Sequence, residues 1–134
     1  MDGAPTILIV DDEETVRTYV RRILSMRGYQ LLDAHDGVEA LEQITRLESP
    51  VDLVITDVRM PRMDGVELAQ RLSAMHPHTP VLYISGYPFD IDAERHRNPA
   101  RNCAFLAKPF TPKLLLGAVS EVLSSGGNVL RATK

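Results

Sequence analysis

The chain has 134 residues, a formal net charge of -3, and 44% hydrophobic and 25% charged residues, the composition of one globular domain with its own core and too short for two comfortable ones. It lacks the basic excess of a nucleic-acid binder, so nucleic acid is not expected as a partner. The single Cys103 excludes an internal disulfide and a cysteine metal cluster and is expected in the core, while the chain has no apolar run near the ~20 residues that span a bilayer and no basic-then-apolar leader in Met1-Asp2-Gly3-Ala4-Pro5; a cytoplasmic protein without membrane contact is expected.

Thr6-Ile7-Leu8-Ile9-Val10 predicts a first strand that stops on Asp11-Asp12-Glu13-Glu14. Val16, Tyr19, Val20, Ile23 and Leu24 then recur at helical spacing behind an acidic first turn, and Gly28 can close that helix. Gln30-Leu31-Leu32-Asp33-Ala34 predicts a second strand, after which Asp36-Gly37 opens a helix with Val38, Leu41, Ile44 and Leu47 on one face, ended by Pro50. The stretch around which the chain is organised follows: Val51-Asp52-Leu53-Val54-Ile55-Thr56-Asp57, an apolar, β-branched run that ends on a carboxylate and then on Met60-Pro61-Arg62-Met63-Asp64-Gly65.

Asp64 and Glu67 have the spacing of a capping box, opening a helix through Leu68, Ala69, Leu72 and Met75, with Pro77 and Pro80 bracketing the next loop. Val81-Leu82-Tyr83-Ile84 predicts a fourth strand ending on Ser85-Gly86. From Tyr87 to Asn102 the pattern is polar and bounded by Pro88 and Pro99, which predicts only a short or frayed helix. Cys103-Ala104-Phe105-Leu106-Ala107 predicts a fifth strand ending at Lys108-Pro109; Thr111 and Pro112 then supply an N-cap and a first-turn proline for a helix with Leu115, Ala118, Val119, Val122 and Leu123 in its stripe. Gly126-Gly127 stops that helix, so residues 1–127 are expected to form the domain and 128–134 a tail or the start of a linker.

Strand and helix alternate five times, which specifies an α/β protein with a parallel sheet and right-handed crossovers. Ligands of such sheets bind outside the carboxyl ends of the strands. Asp11, Asp12, Asp57, Ser85 and Lys108 all stand at such ends. An acidic pair is ordinarily a helix start, a serine after a strand a turn former, and Lys-Pro a loop; their joint placement on one side of the sheet is what carries information. Converging carboxylates need a cation or a lysine to relieve their repulsion, and oxygen-only donors suit Mg²⁺ bridging to phosphoryl oxygens. A hydroxyl and a lysine are the remaining donors a transferring phosphoryl group needs.

Ile9-Val10-Asp11-Asp12-Glu13, Asp57 ahead of Met60-Pro61-Arg62-Met63-Asp64-Gly65, Ser85-Gly86 and Lys108-Pro109-Phe110 together make the chain resemble a response-regulator receiver domain of two-component signalling, from about Thr6 to Ser124. The resemblance implies a flavodoxin-like, doubly wound, five-stranded parallel sheet of order 2-1-3-4-5 with five helices. It implies that Asp57 accepts a phosphoryl group from a phosphohistidine of a histidine kinase or histidine phosphotransfer domain. Asp11, Asp12, Asp57 and the backbone carbonyl of Arg59 would hold Mg²⁺, Asp11 through water. Ser85 would hydrogen-bond the phosphoryl group, Lys108 would pair with it, and the Lys108-Pro109 bond would be cis. Phe105 holds the aromatic switch position, and Ser85, Phe105 and Pro109 would form the switch. Receivers more often carry Thr where Ser85 stands; serine keeps the hydroxyl, and its freer rotamer would loosen the switch.

Such a receiver is not a turnover enzyme, although it assists its own Mg²⁺-dependent phosphorylation and dephosphorylation. Activation would reshape the face formed by the segment before the fifth strand, that strand and the last helix, and a homodimer formed on activation would use the same face. The Ser-Gly-Tyr and Lys-Pro-Phe wording is similar to receivers of hybrid sensor kinases. With no effector segment after Gly127, both a stand-alone receiver and one cut from a larger protein stay open. Two further readings compete. A phosphohydrolase working through an aspartyl phosphate usually needs a second acid two residues after the nucleophile, where this chain has Arg59. A flavin-binding electron carrier would need a hydroxyl- and glycine-rich phosphate loop after the first strand, where Asp11-Asp12-Glu13-Glu14 repels phosphate.

Overall fold

A computed structural model describes residues 3–86 and 103–124 of the chain. The helix expected between Tyr87 and Asn102, the Gly126-Gly127 stop and the tail over 128–134 lie outside the described residues. The elements in order are β1 (Thr6–Val10), α1 (Glu14–Ser25), β2 (Gln30–Ala34), α2 (Gly37–Arg46), β3 (Leu53–Asp57), α3 (Gly65–Met75), β4 (Val81–Ser85), β5 (Cys103–Ala107) and α4 (Pro112–Ser124), which makes four helices among the described residues. The sheet runs β2-β1-β3-β4-β5 with every neighbour parallel. The flavodoxin-like order is thus the observed one.

Alternation along the strands divides the core into two layers. Ile7, Ile9, Leu53, Ile55, Leu82 and Ile84 point to one face and meet Val20, Ile23 and Leu24 of α1 and Leu115, Val119 and Val122 of α4. Leu8, Val10, Val54, Val81 and Tyr83 point to the other and meet Ala40 and Ile44 of α2 and Val66, Leu68, Ala69 and Leu72 of α3. A strand buried on both faces has no polar alternation to show, which is why these runs read as continuous apolar segments. Cys103 packs, half-buried, against the α2–α3 layer.

The caps act as their residue types require. Asp36 and Asp64 accept the N–H groups of Glu39 and Glu67 through their carboxylates, each at 2.8 Å, and the Thr111 hydroxyl accepts from Leu114 at 3.1 Å. Glu67 itself pairs with Arg71 one turn on, at 3.0 Å. Gly28 ends the α1 turn at φ 76, where only glycine is at ease.

Four boundary and face expectations are corrected. β3 begins at Leu53, not Val51, because Asp52 is spent on the chain entering β1: its carboxylate accepts the Thr6 N–H at 2.8 Å and its own N–H donates to the Thr6 carbonyl at 2.8 Å. Tyr19 is not in the core; it is 42% exposed, and its ring tilts against Phe110 at 5.8 Å while its hydroxyl donates to the Phe110 carbonyl at 3.3 Å. Leu47 leaves the helical face because it is the extended C-cap of α2, and Met75 is exposed where α3 ends.

Candidate functional site

Register brings the acids together. Val10 pairs with Thr56, so the next residues along β1 and β3, Asp11 and Asp57, leave the same edge of the sheet side by side. Asp11 is fully buried. Its Oδ1 accepts the Glu13 N–H at 2.9 Å, its backbone carbonyl accepts from Arg17 Nη1 at 2.7 Å, and its N–H donates to the Ala34 carbonyl at 3.2 Å. Its other carboxylate oxygen, Oδ2, is buried without a hydrogen bond. Carboxylate oxygens of Asp11, Asp12 and Asp57 lie within 4.8 Å of one another, with Asp12 on the exposed side.

Lys108 answers this charge from the end of β5. Its Nζ donates to Asp57 Oδ2 at 3.0 Å and stands 3.6 Å from Asp11 Oδ2, while its backbone N–H donates to the Ser85 carbonyl at 2.8 Å. Three carboxyl groups face a single ammonium here, a formal deficit the size of one divalent cation. Burial pushes the Asp11 carboxyl up to about 6, helped by Asp57 and Asp12 and opposed by the Glu13 N–H and Lys108. Lys108 is held above the ordinary lysine range: burial pulls it down, but the hydrogen bond to Asp57 and the charges of Asp11 and Asp57 outweigh that.

The site opens to solvent as a cleft of about 440 Å³ lined by Asp12, Glu13, Asp57, Arg59, Gly86 and Lys108. Arg59 donates its backbone N–H to Asp57 Oδ1 at 3.3 Å. The Lys108–Pro109 bond is cis. Ser85 is buried at the end of β4 beside Ala107, and Phe105, two residues back on the same face, stacks on Tyr83 with centroids 5.3 Å apart and planes at 17°. The expected residues therefore gather at one sheet edge, with Phe105 one layer beneath.

Two contributors escaped the sequence reading. Glu13 supplies the N–H that fixes Asp11, and Gly65 is the only residue type that fits behind Asp57: a Cβ there would collide with the Asp57 carbonyl oxygen. The glycine of Met-Asp-Gly was visible as a motif but not as a packing demand.

A family model described as a response regulator receiver domain matches residues 7–120. The chain belongs to this family. The receiver is 42% identical over 123 residues to the sensor kinase CckA of Brucella abortus, covering 92% of this chain and 13% of that protein. It is 40% identical over 129 residues to the response regulator MprA of Mycobacterium ulcerans, covering 96% of this chain and 51% of that protein. The chain thus spans about half or less of the length of these curated relatives. Among solved structures it is similar to the chemotaxis protein CheY4 of Vibrio cholerae, at 29% identity and TM-score 0.81 over 90% of this chain and 100% of that one. The receiver domain of NtrX from Brucella abortus matches at 31% identity and TM-score 0.78, over 89% and 98%.

Receiver domains are signalling modules of two-component systems, with a histidine kinase as the implied partner, and are generally not turnover enzymes. Neither the phosphohydrolase nor the flavin-carrier reading accounts for this match. Among the described residues no helix is long and apolar enough to cross a membrane.

Proposed function

We propose that this receiver is a phosphoacceptor that takes a phosphoryl group on Asp57 from the phosphohistidine of a histidine kinase or histidine phosphotransfer domain, in the cytoplasm. The observation that carries the reading is Lys108 Nζ, 3.0 Å from Asp57 Oδ2 and 3.6 Å from Asp11 Oδ2, at the mouth of an open acidic cleft. In the transfer a carboxylate oxygen of Asp57 forms the new bond to phosphorus, the N–P bond of the donor breaks, and the released imidazole nitrogen takes up a proton. Dephosphorylation takes a separate course: a water oxygen forms the new bond to phosphorus, the bond from the Asp57 oxygen to phosphorus breaks, and inorganic phosphate leaves with the protons of the water.

Lys108, already paired to an Asp57 oxygen, is placed to follow the charge onto the phosphoryl oxygens. The unsatisfied Asp11 Oδ2 and the all-oxygen trio fit Mg²⁺, which Asp12, Asp57 and the Arg59 carbonyl would hold, with Asp11 acting through water. When bound, Mg²⁺ supplies charge neutralisation for the transferring oxygens. Phosphorylation adds about -1.5 to -2 charge at Asp57. That draws in the Ser85 hydroxyl, and Phe105 on the same face moves into the space released beside Tyr83, carrying the change to the face that β5 and α4 share, where a homodimer formed on activation would assemble. The likeness to parts of both a sensor kinase and a response regulator supports a module whose chemistry is the same in either setting.

The test is intact-mass spectrometry after incubation with a small phosphodonor. A single phosphoryl adduct is expected with Mg²⁺, and none in excess chelator or in Asp57→Asn. An adduct of equal yield in the variant would remove Asp57 from its role.

A further inference from the structure

Loop 58–64 leaves Asp57, carries Arg59 across the mouth of the cleft and returns at Gly65. Its base is tied by the Gly65 N–H to the Val58 carbonyl at 2.8 Å and by the Arg59 N–H to Asp57 at 3.3 Å. Its crest is tied elsewhere. Arg62 Nε donates to Asp36 Oδ2 at 2.9 Å and Nη2 forms an ion pair with the same oxygen at 2.8 Å, while Asp36 Oδ1 caps α2 through the Glu39 N–H. Next to this pair, Met63 lies so close to Gly37 that a Cβ there would stand 3.0 Å from its Cβ, Cγ and carbonyl oxygen.

Arg62 is the one non-glycine residue with positive φ among those described, at 67. Long L side chains seldom adopt this conformation, and a residue held in it points to a surrounding constraint. The backbone constraint is the Met63 N–H bond to the Pro61 carbonyl at 2.7 Å, which closes a three-residue turn centred on Arg62, and the side chain is held by a carboxylate 26 residues back, only 6% exposed. Burial opposes the charge on Asp36, yet the Glu39 N–H and the Arg62 guanidinium hold the carboxyl below the ordinary range, so a charged pair is kept at some cost in desolvation. Asp36 also follows the end of β2, where Ala34 receives the Asp11 N–H.

We propose that Arg62 and Asp36 form a positioning clasp that fixes the loop bearing Arg59 relative to the strand end that seats Asp11, and so sets the spacing of the metal-binding oxygens. The proposal rests on the Mg²⁺ reading above. Neither residue belongs to the acidic trio or lines the cleft; both act through the loop.

The experiment titrates Mg²⁺ calorimetrically into the full chain as wild type, Arg62→Ala, Arg62→Gly, Asp36→Asn and the Asp36→Asn/Arg62→Gly double variant, with Arg59 amide exchange followed by NMR before metal is added. Asparagine keeps the cap of α2, and glycine accepts the positive φ, so Arg62→Gly carries the test if Arg62→Ala does not fold. Each single variant is expected to weaken Mg²⁺ binding by about tenfold, the double variant no further, and Arg59 exchange to quicken in all. A through-space charge effect would instead push the two sites in opposite directions: losing a cation would strengthen Mg²⁺ binding and losing an anion would weaken it. Such opposed shifts overturn the clasp, as does a lowered melting temperature with unchanged affinity. If the wild type binds no Mg²⁺, the metal reading falls and the clasp with it; if the wild type binds and the variants bind equally, the clasp alone falls.

Discussion

Replacing Asp11 by asparagine tests whether the acidic cluster is held against its own repulsion. The Asp11 carboxyl titrates at about 6 in the fold against 3.8 ordinarily, a rise of two units or so, worth about 3 kcal/mol against the ionised form. The sign follows from proton counting. Below pH 3.8 both states are protonated and the fold bears no penalty; between 3.8 and about 6 the unfolded chain ionises first, so stability falls as pH rises; above about 6 the whole penalty is present. Asparagine keeps an oxygen for the Glu13 N–H and removes the charge. For a chain of this size, where 1 kcal/mol moves the melting temperature by about 3–5 °C, the metal-free variant should melt up to about 15 °C above wild type at pH 7.5. The two should converge near pH 4. Thermal melts followed by circular dichroism across pH 4–8 measure this. Mg²⁺ should raise the wild-type melting temperature at pH 7.5 and leave the variant nearly unmoved, because the folded site alone binds it. Parallel pH profiles for the two proteins, or a variant that melts lower at pH 7.5, would refute the strained-carboxylate argument.

Gly65→Ala forces a methyl group against the Asp57 carbonyl, and overpacking of this kind costs about 1–3 kcal/mol; urea unfolding should show that loss together with slower phosphorylation. Lys108, whose pKa is raised by its carboxylate partners, contributes stability that is complete below pH 10.5 and lost as pH climbs through its higher folded value. Lys108→Met should therefore flatten the alkaline limb of the melting profile, and an unchanged limb would deny the pairing. With BeF₃⁻ and Mg²⁺ bound, hydrogen exchange should change chiefly on the face that includes β5 and α4, whereas changes confined to α1 and α2 would remove Phe105 from signal transmission.

Much of this architecture could be read from residue order because its local signals agree with its tertiary ones. Asp36, Asp64 and Thr111 stand where caps are needed, and the apolar runs stop where the sheet stops. Tyr19 shows where periodicity fails: it lies at helical spacing from the core residues, but its phenol is served at the rim by the Phe110 carbonyl rather than in a dry interior. Leu47 belongs in sequence to the stripe of Val38, Leu41 and Ile44 and loses its place when the backbone turns extended at the C-cap. The gathering of Asp11, Asp57 and Lys108 depends on strand order, which came from the family likeness and not from the local pattern. The Arg62–Asp36 pair was out of reach because it joins two loops that only that order brings together. The need for glycine at 65 likewise depends on how α3 meets the end of β3.

The division of the core into two layers has a consequence for how such a domain can change over generations. Val54 and Ile55 are chain neighbours, yet one packs with α2 and α3 and the other with α1 and α4. Substitutions in different layers share few partners, so their effects should be close to additive. One layer can drift in sequence while the other is held by selection. The α1–α4 side can thus change its packing while the Tyr83–Phe105 side keeps its own. The acids at the shared sheet edge stay where the backbone puts them.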